Sequence, residues 1–205
     1  MRIRNVILGS TIVALISMGQ ASADSAKPGQ SMTHMKTATG LTALLEGAGV
    51  VLYVQGGATS AVMGESISSP DGQIVFHIPV TANKAGVQHI GSNIVFFNTA
   101  NNKQVQLRNP VINLATGEVT AIVPQAGNKS MAILKITNAT TLKAAVTNDR
   151  KAALRTTAYK GATLVLAPGI GAALTSLLEL PEGSLPDGAT FGSADVSLYS
   201  KIAKK

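Results

Sequence analysis

Histidine is the side chain that most readily ligates a metal or moves a proton near neutral pH, and this chain has three, His34, His77 and His89. No two of them stand in an H-x-H or H-x-x-x-H arrangement, so a zinc site would have to be assembled from distant segments. His34 lies in Met32-Thr33-His34-Met35, a thioether and imidazole mixture of the kind copper accepts. A single short run of this type reads more simply as the edge of a strand. His77 sits in Val75-Phe76-His77-Ile78-Pro79, where a two-residue period turns it outward if Phe76 and Ile78 turn in. His89 lies between Gly86 and Gly91, residues that let a second backbone or a flat ligand come close. The remaining polar residues add no catalytic set. There is no G-x-S-x-G elbow, and Gly56-Gly57 and Gly169-Ile170-Gly171 match no phosphate loop. Asp71 and Asp187 each occupy a Pro-Asp-Gly turn, which accounts for them. Glu46, Glu179 and Glu182 fall near expected helix ends, with no spacing that pairs two carboxylates. The chain has no Cys, which excludes thiol catalysis and Cys-ligated zinc. These residues therefore predict no catalytic group and no metal site.

The elements that would position them are mostly strands. Residues 32–37, 50–55, 73–78, 93–98, 104–114, 118–123, 131–137, 142–146, 163–166 and 194–199 form short β-branched runs bounded by Gly, Asn or Pro. Pro110 within 104–114 predicts an edge strand or a bulge. Asn101-Asn102, Ala115-Thr116-Gly117 and Gly127-Asn128-Lys129 supply residues that tolerate positive φ, so neighbouring strands should meet as antiparallel hairpins. Two segments read as short helices instead. One covers 39–47, with Thr39 as cap and Gly47 as its end; the other covers 168–178, with Pro168 in the first turn and Pro181 as a stop. Each follows a strand and precedes a return to β structure, which predicts similar plugs at the two ends of an antiparallel β-sandwich.

Arg2 and Arg4, the apolar run 6–18 and Ala21-Ser22-Ala23 compose the charged, apolar and small-x-small parts of an export signal peptide. The apolar run is too short for a comfortable membrane span. The domain plan is a signal peptide at 1–23, a flexible lead-in at 24–31, one β domain at 32–200 and a basic tail at 201–205. The portion after the signal is long enough for one self-supporting core. It carries +5 of the chain's +7 net charge, since the signal holds Arg2 and Arg4 and no acid. Without Cys, the domain must be stable outside the cytoplasm with no disulfide. No sorting motif with an apolar tail is read at the C-terminus, so attachment to an envelope is expected to be non-covalent. Four Phe, three Tyr, no Trp and scattered Lys and Arg lack the clustered charge and stacking platform of a nucleic-acid binder. The charge fits weak attraction to an anionic envelope.

A succession of motifs runs through the domain: a helix entering Gly49-Val50 over 38–50, then Phe76-His77-Ile78-Pro79, then Gly86-Val87-Gln88-His89-Ile90-Gly91. Leu107 to Ile112 follows and runs into Gly117-Glu118-Val119-Thr120-Ala121. The set closes with Pro168-Gly169-Ile170-Gly171-Ala172-Ala173-Leu174 and Gly188 to Val196. In this order the chain resembles exported actinobacterial β-sandwich domains related to the HtaA-type haem-uptake domain. The resemblance implies a mostly β antiparallel sandwich with two short helices. It also implies, from haem-binding members, a Tyr and a His acting on a Trp-containing apolar surface. This chain has no Trp. His89, on the segment matching the central motif, is the position that carries over best, and Tyr53 is second. The expectation is a secreted or cell-envelope, non-enzymatic binding or interaction protein. Its partner would be an envelope component or small ligand, with no resident cofactor and no transmembrane segment in the mature chain. A haem or porphyrin carrier centred on His89 is the alternative, and an exported hydrolase the third.

Overall fold

Residues 30–202 are described by the structure, a computed structural model. The signal peptide expected at 1–23, residues 24–29 of the expected lead-in and residues 203–205 of the tail lie outside the described residues. The chain runs β1 (Met32–Thr37), α1 (Leu41–Gly47), β2 (Val50–Gly56), β3 (Thr59–Met63), β4 (Gln73–Pro79), β5 (Val87–Gln88) and β6 (Ser92–Asn98). It continues through β7 (Gln104–Asn113), β8 (Glu118–Val123), β9 (Lys129–Ile136), β10 (Ala144–Asp149), β11 (Leu154–Leu166), α2 (Ile170–Leu178) and β12 (Thr190–Lys201).

All twelve strands join one antiparallel sheet, in the order β2-β6-β7-β8-β9-β11-β12-β1-β4-β3, with β5 added to β7 and β10 to β11. The edge strands β2 and β3 are consecutive in the chain, with only Gly57 and Ala58 between them. The sheet must therefore curl until its edges nearly meet, and it closes most of a barrel. Alternation supplies the core: β1 and β4 switch between buried and half-buried at every residue. Phe76, Phe96, Leu45, Ile133, Leu164 and Leu178 are fully buried inside. Burying each such side chain contributes about 1.5–3 kcal/mol, and this replaces the missing disulfides. Among the described residues no helix is long and apolar enough to cross a membrane.

The mostly β, antiparallel expectation with two short helices holds, and each of the ten expected strands is present. Pro110 sits at a register shift between Arg108 and Val111, and Asn102 and Asn128 adopt positive φ in their turns. Several details differ. Residues 59–63 and 87–88 are strands rather than loops. In β3 every residue is exposed or half-buried, so no buried face imprints a period on its sequence. β11 starts well before residue 163 because its first half pairs with β10, a strand whose six residues are all exposed. The helices are not capped by Thr39 or begun by Pro168. Gly40 and Gly169 are the N-caps, at φ 80, ψ −12 and φ 79, ψ −11, a left-handed conformation that glycine adopts without a Cβ penalty. Finally, β1 and β11 both run antiparallel to β12, so they point the same way. The helices that follow them lie at one end of the barrel, not at opposite ends.

Candidate functional site

His89 is inside the protein, 1% exposed. The chain turns in after β5, and the His89 backbone N–H donates to the Pro110 carbonyl at 3.0 Å. Its Nδ1 meets the same carbonyl at 2.9 Å. A carbonyl only accepts, so Nδ1 carries the proton and Nε2 accepts from the Thr33 hydroxyl at 2.8 Å. Burial pushes the imidazole below its ordinary pKa, with the Pro110 hydrogen bond opposing it. His89 is thus a neutral brace between β1 and the bulge of β7. The space beside it measures about 20 Å³, room for roughly one water. This corrects the picture of a glycine-flanked edge open to a flat ligand, because the strand period from Val87 turns His89 inward and leaves Ile90 exposed. To reach a haem iron, the ring would have to give up a hydrogen bond and the interior would have to open.

Tyr53 follows buried Leu52 on β2 and so faces outward. Its hydroxyl donates to Gln104 Oε1 at 3.3 Å. The structure therefore places Tyr53 and His89 on opposite faces of the sheet and does not bring them together.

The helical end of the barrel offers a recess instead. There α1 and the return into β12 stand apart, leaving a cleft of about 370 Å³ lined by Ala38, Leu41, Leu44, Leu166, Leu185 and Phe191, among others. Leu44 at its lip is 51% exposed. The walls are held by polar ties. The Thr42 hydroxyl donates to the Gly72 carbonyl at 2.8 Å, fixing α1 to the loop before β4. Asp187 accepts from Gly169 N–H at 2.7 Å and Gly171 N–H at 2.8 Å, satisfying first-turn donors of α2 that have no helical partner. At the other end of α2, Asn98 and Asn101 donate to the Leu178 carbonyl at 2.8 and 3.1 Å, and Lys103 pairs with Glu179. Sequence reasoning gave Asp187 only a turn role and did not find the cleft. The available signal was the pair of Pro-Asp-Gly turns, each following a similar helix. The cleft itself is assembled from segments more than a hundred residues apart.

Fold and site together define a nearly closed antiparallel β-barrel-like protein with a filled interior and an apolar recess at its helical end. Comparison of the chain with protein-family models, curated proteins and solved structures found no match. The resemblance to HtaA-type domains expected from the sequence motifs finds no support in these comparisons.

Proposed function

We propose that this is an exported, non-enzymatic binding protein of the cell envelope or its surroundings, and that it takes an apolar small ligand or apolar group in the cleft between α1 and the β12 return. The observation that carries this reading is the cleft. Its volume falls within the range of small-molecule sites, and its lining is mostly apolar, with Thr39 and Thr190 among it and Leu44 held half out of the protein. The filled interior beside His89 favours binding at the surface of the barrel over binding inside it. Export rests on the charged, apolar and small-x-small order of residues 1–23.

Titration with 1-anilinonaphthalene-8-sulfonate tests the cleft. The native protein should enhance the probe's fluorescence saturably, and Leu44→Asp should weaken binding at least tenfold while leaving the circular dichroism unchanged. Equal binding by Leu44→Asp, or none by the native protein, would overturn the assignment. Sequencing the N-terminus of the exported chain tests the address, with Asp24 expected as the first residue. A hemin titration tests the carrier alternative, since a Soret shift abolished by a fold-preserving change at His89 would restore that reading.

A further inference from the structure

His34 and His77 are directly opposite in the register of β1 and β4, on the outer face of the sheet. Their ring centres are 4.7 Å apart and the rings meet edge to face at 77°. The Nδ1 atom of His77 is buried and has no hydrogen-bond partner, which is uncommon for a buried polar atom. Asp195 of β12 stands opposite His34 on its other side, with Oδ1 held by the Gly161 N–H at 2.7 Å. Met32 lies two residues before His34 on the same face of β1. Three strands thus bring together two imidazoles and a carboxylate that are widely separated in sequence.

We propose that His34 and His77 form a two-imidazole site for a divalent transition-metal ion, Cu(II) foremost. Imidazole suits Cu, Zn and Ni, and affinity among them is highest for Cu(II). An imidazole nitrogen binds such an ion at about 2.0–2.1 Å, which puts each ring centre roughly 3.2 Å from it. Two rings on adjacent positions of a square-planar ion then have centres roughly 4.5 Å apart, and on a tetrahedral ion roughly 5.2 Å. The observed separation lies between these values. χ2 is a broad torsion in histidine, so the rings can turn about it toward a shared ion. Burial and the neighbouring His77 push the His34 imidazole below its ordinary pKa, with Asp195 opposing them, so the ring is neutral and able to ligate at pH 7. Among the described residues no three His, Cys, Asp or Glu side chains form a ready-made ligand set. The pair therefore acts as a two-point chelate, with water in the remaining positions and Asp195 as a nearby negative charge. Lys36, on the same face of β1, is the opposing charge.

The test is titration of the purified chain with Cu(II) at pH 7.5, followed by calorimetry and by electron paramagnetic resonance. One equivalent should bind with hyperfine coupling to two imidazole nitrogens. His34→Asn and His77→Asn should each weaken binding at least tenfold and reduce the coupling to one nitrogen, without changing the thermal midpoint by more than a few degrees. Asp195→Asn should weaken it a few-fold. Undiminished binding in either histidine variant, or a spectrum without two-imidazole coupling in the native chain, would overturn the proposal. Because these residues lie away from the apolar cleft, Leu44→Asp should leave Cu(II) binding intact.

Discussion

The two strand–helix–return units differ at several aligned positions, and one of them, Thr42 against Gly171, explains how each helix is tied down. Ala38, Gly40, Leu41, Ala43 and Leu45 of the first correspond to Ala167, Gly169, Ile170, Ala172 and Leu174 of the second. Both N-cap glycines hold nearly the same backbone angles. Both units later pass through Pro-Asp-Gly, at 70–72 and 186–188, into a strand that pairs with the unit's own first strand. Between Leu41 and Ala43 stands Thr42, whereas between Ile170 and Ala172 stands Gly171. Thr42 sends its hydroxyl to the Gly72 carbonyl. Gly171 sends nothing, and the loop closes in so far that a Cβ there would sit 2.1 Å from the Leu185 carbonyl oxygen. The polar tie has changed sides: a helix side chain reaches the loop backbone in one unit, and a loop carboxylate reaches the helix backbone in the other.

Exchanging the two residues is the harshest way to break this comparison. Gly171→Thr must push the 185–187 backbone away, and overpacking costs about 1–3 kcal/mol, occasionally more, with a clash against backbone expected at the upper end. Chemical denaturation should show that loss or failure to fold, whereas Thr42→Gly, which removes a hydroxyl and adds backbone freedom, should lose about 1–2 kcal/mol. A smaller cost for Gly171→Thr than for Thr42→Gly would mean the two helices are not held in opposite senses. Asp187→Ala comes next. It strips a cap from α2 and should cost about 1–2 kcal/mol, while Asp71→Ala in the matching turn should stay within about 0.5 kcal/mol. Equal costs at both aspartates would erase the distinction.

The same units show what the sequence could and could not convey. β1 and β8 occupy the residues expected for them because each has a buried face, which writes a two-residue period into the chain. β3 has little buried and leaves no such pattern; β10, exposed throughout, was legible only in part, as the strand expected at 142–146. The helix segments were legible from Leu and Ala spacing, but their caps were not. Thr39 looked like the better cap residue, and only the path into α1 shows that a left-handed glycine is needed there. His89 was misplaced although Val87, two residues earlier, carried the phase that puts it inside. Its glycine neighbours pointed the other way. Pairings such as His34 with His77 depend on register between strands far apart in the chain, which local pattern does not encode.

Thr42→Val isolates the first unit's tie while keeping its shape. The Gly72 carbonyl is left without the hydroxyl, and a loss of about 1 kcal/mol is expected, with hydrogen exchange rising in α1 and the loop before β4 but not in α2. A uniform rise across both helices would show that the units are mechanically one.

Acid should separate the units most gently. The first unit contains His34 on β1, and its Thr33 is bonded to His89; the second unit has no histidine. Burial holds both imidazoles below their ordinary pKa, so in the folded protein they bind fewer protons than in the unfolded chain. Stability then rises with pH across the window below about pH 6.5, is fully present above it, and is lost as pH falls. A single such histidine can contribute at most about 0.7 kcal/mol between pH 7 and 6. Protonating His89 would also put a second donor on Nε2, where the Thr33 hydroxyl now donates. Native-state hydrogen exchange at pH 7 and 6, corrected for the intrinsic rates, should show protection falling in β1 while β11 holds. An equal fall in β11 would show that acid acts on the barrel as a whole rather than through the histidines of its first unit.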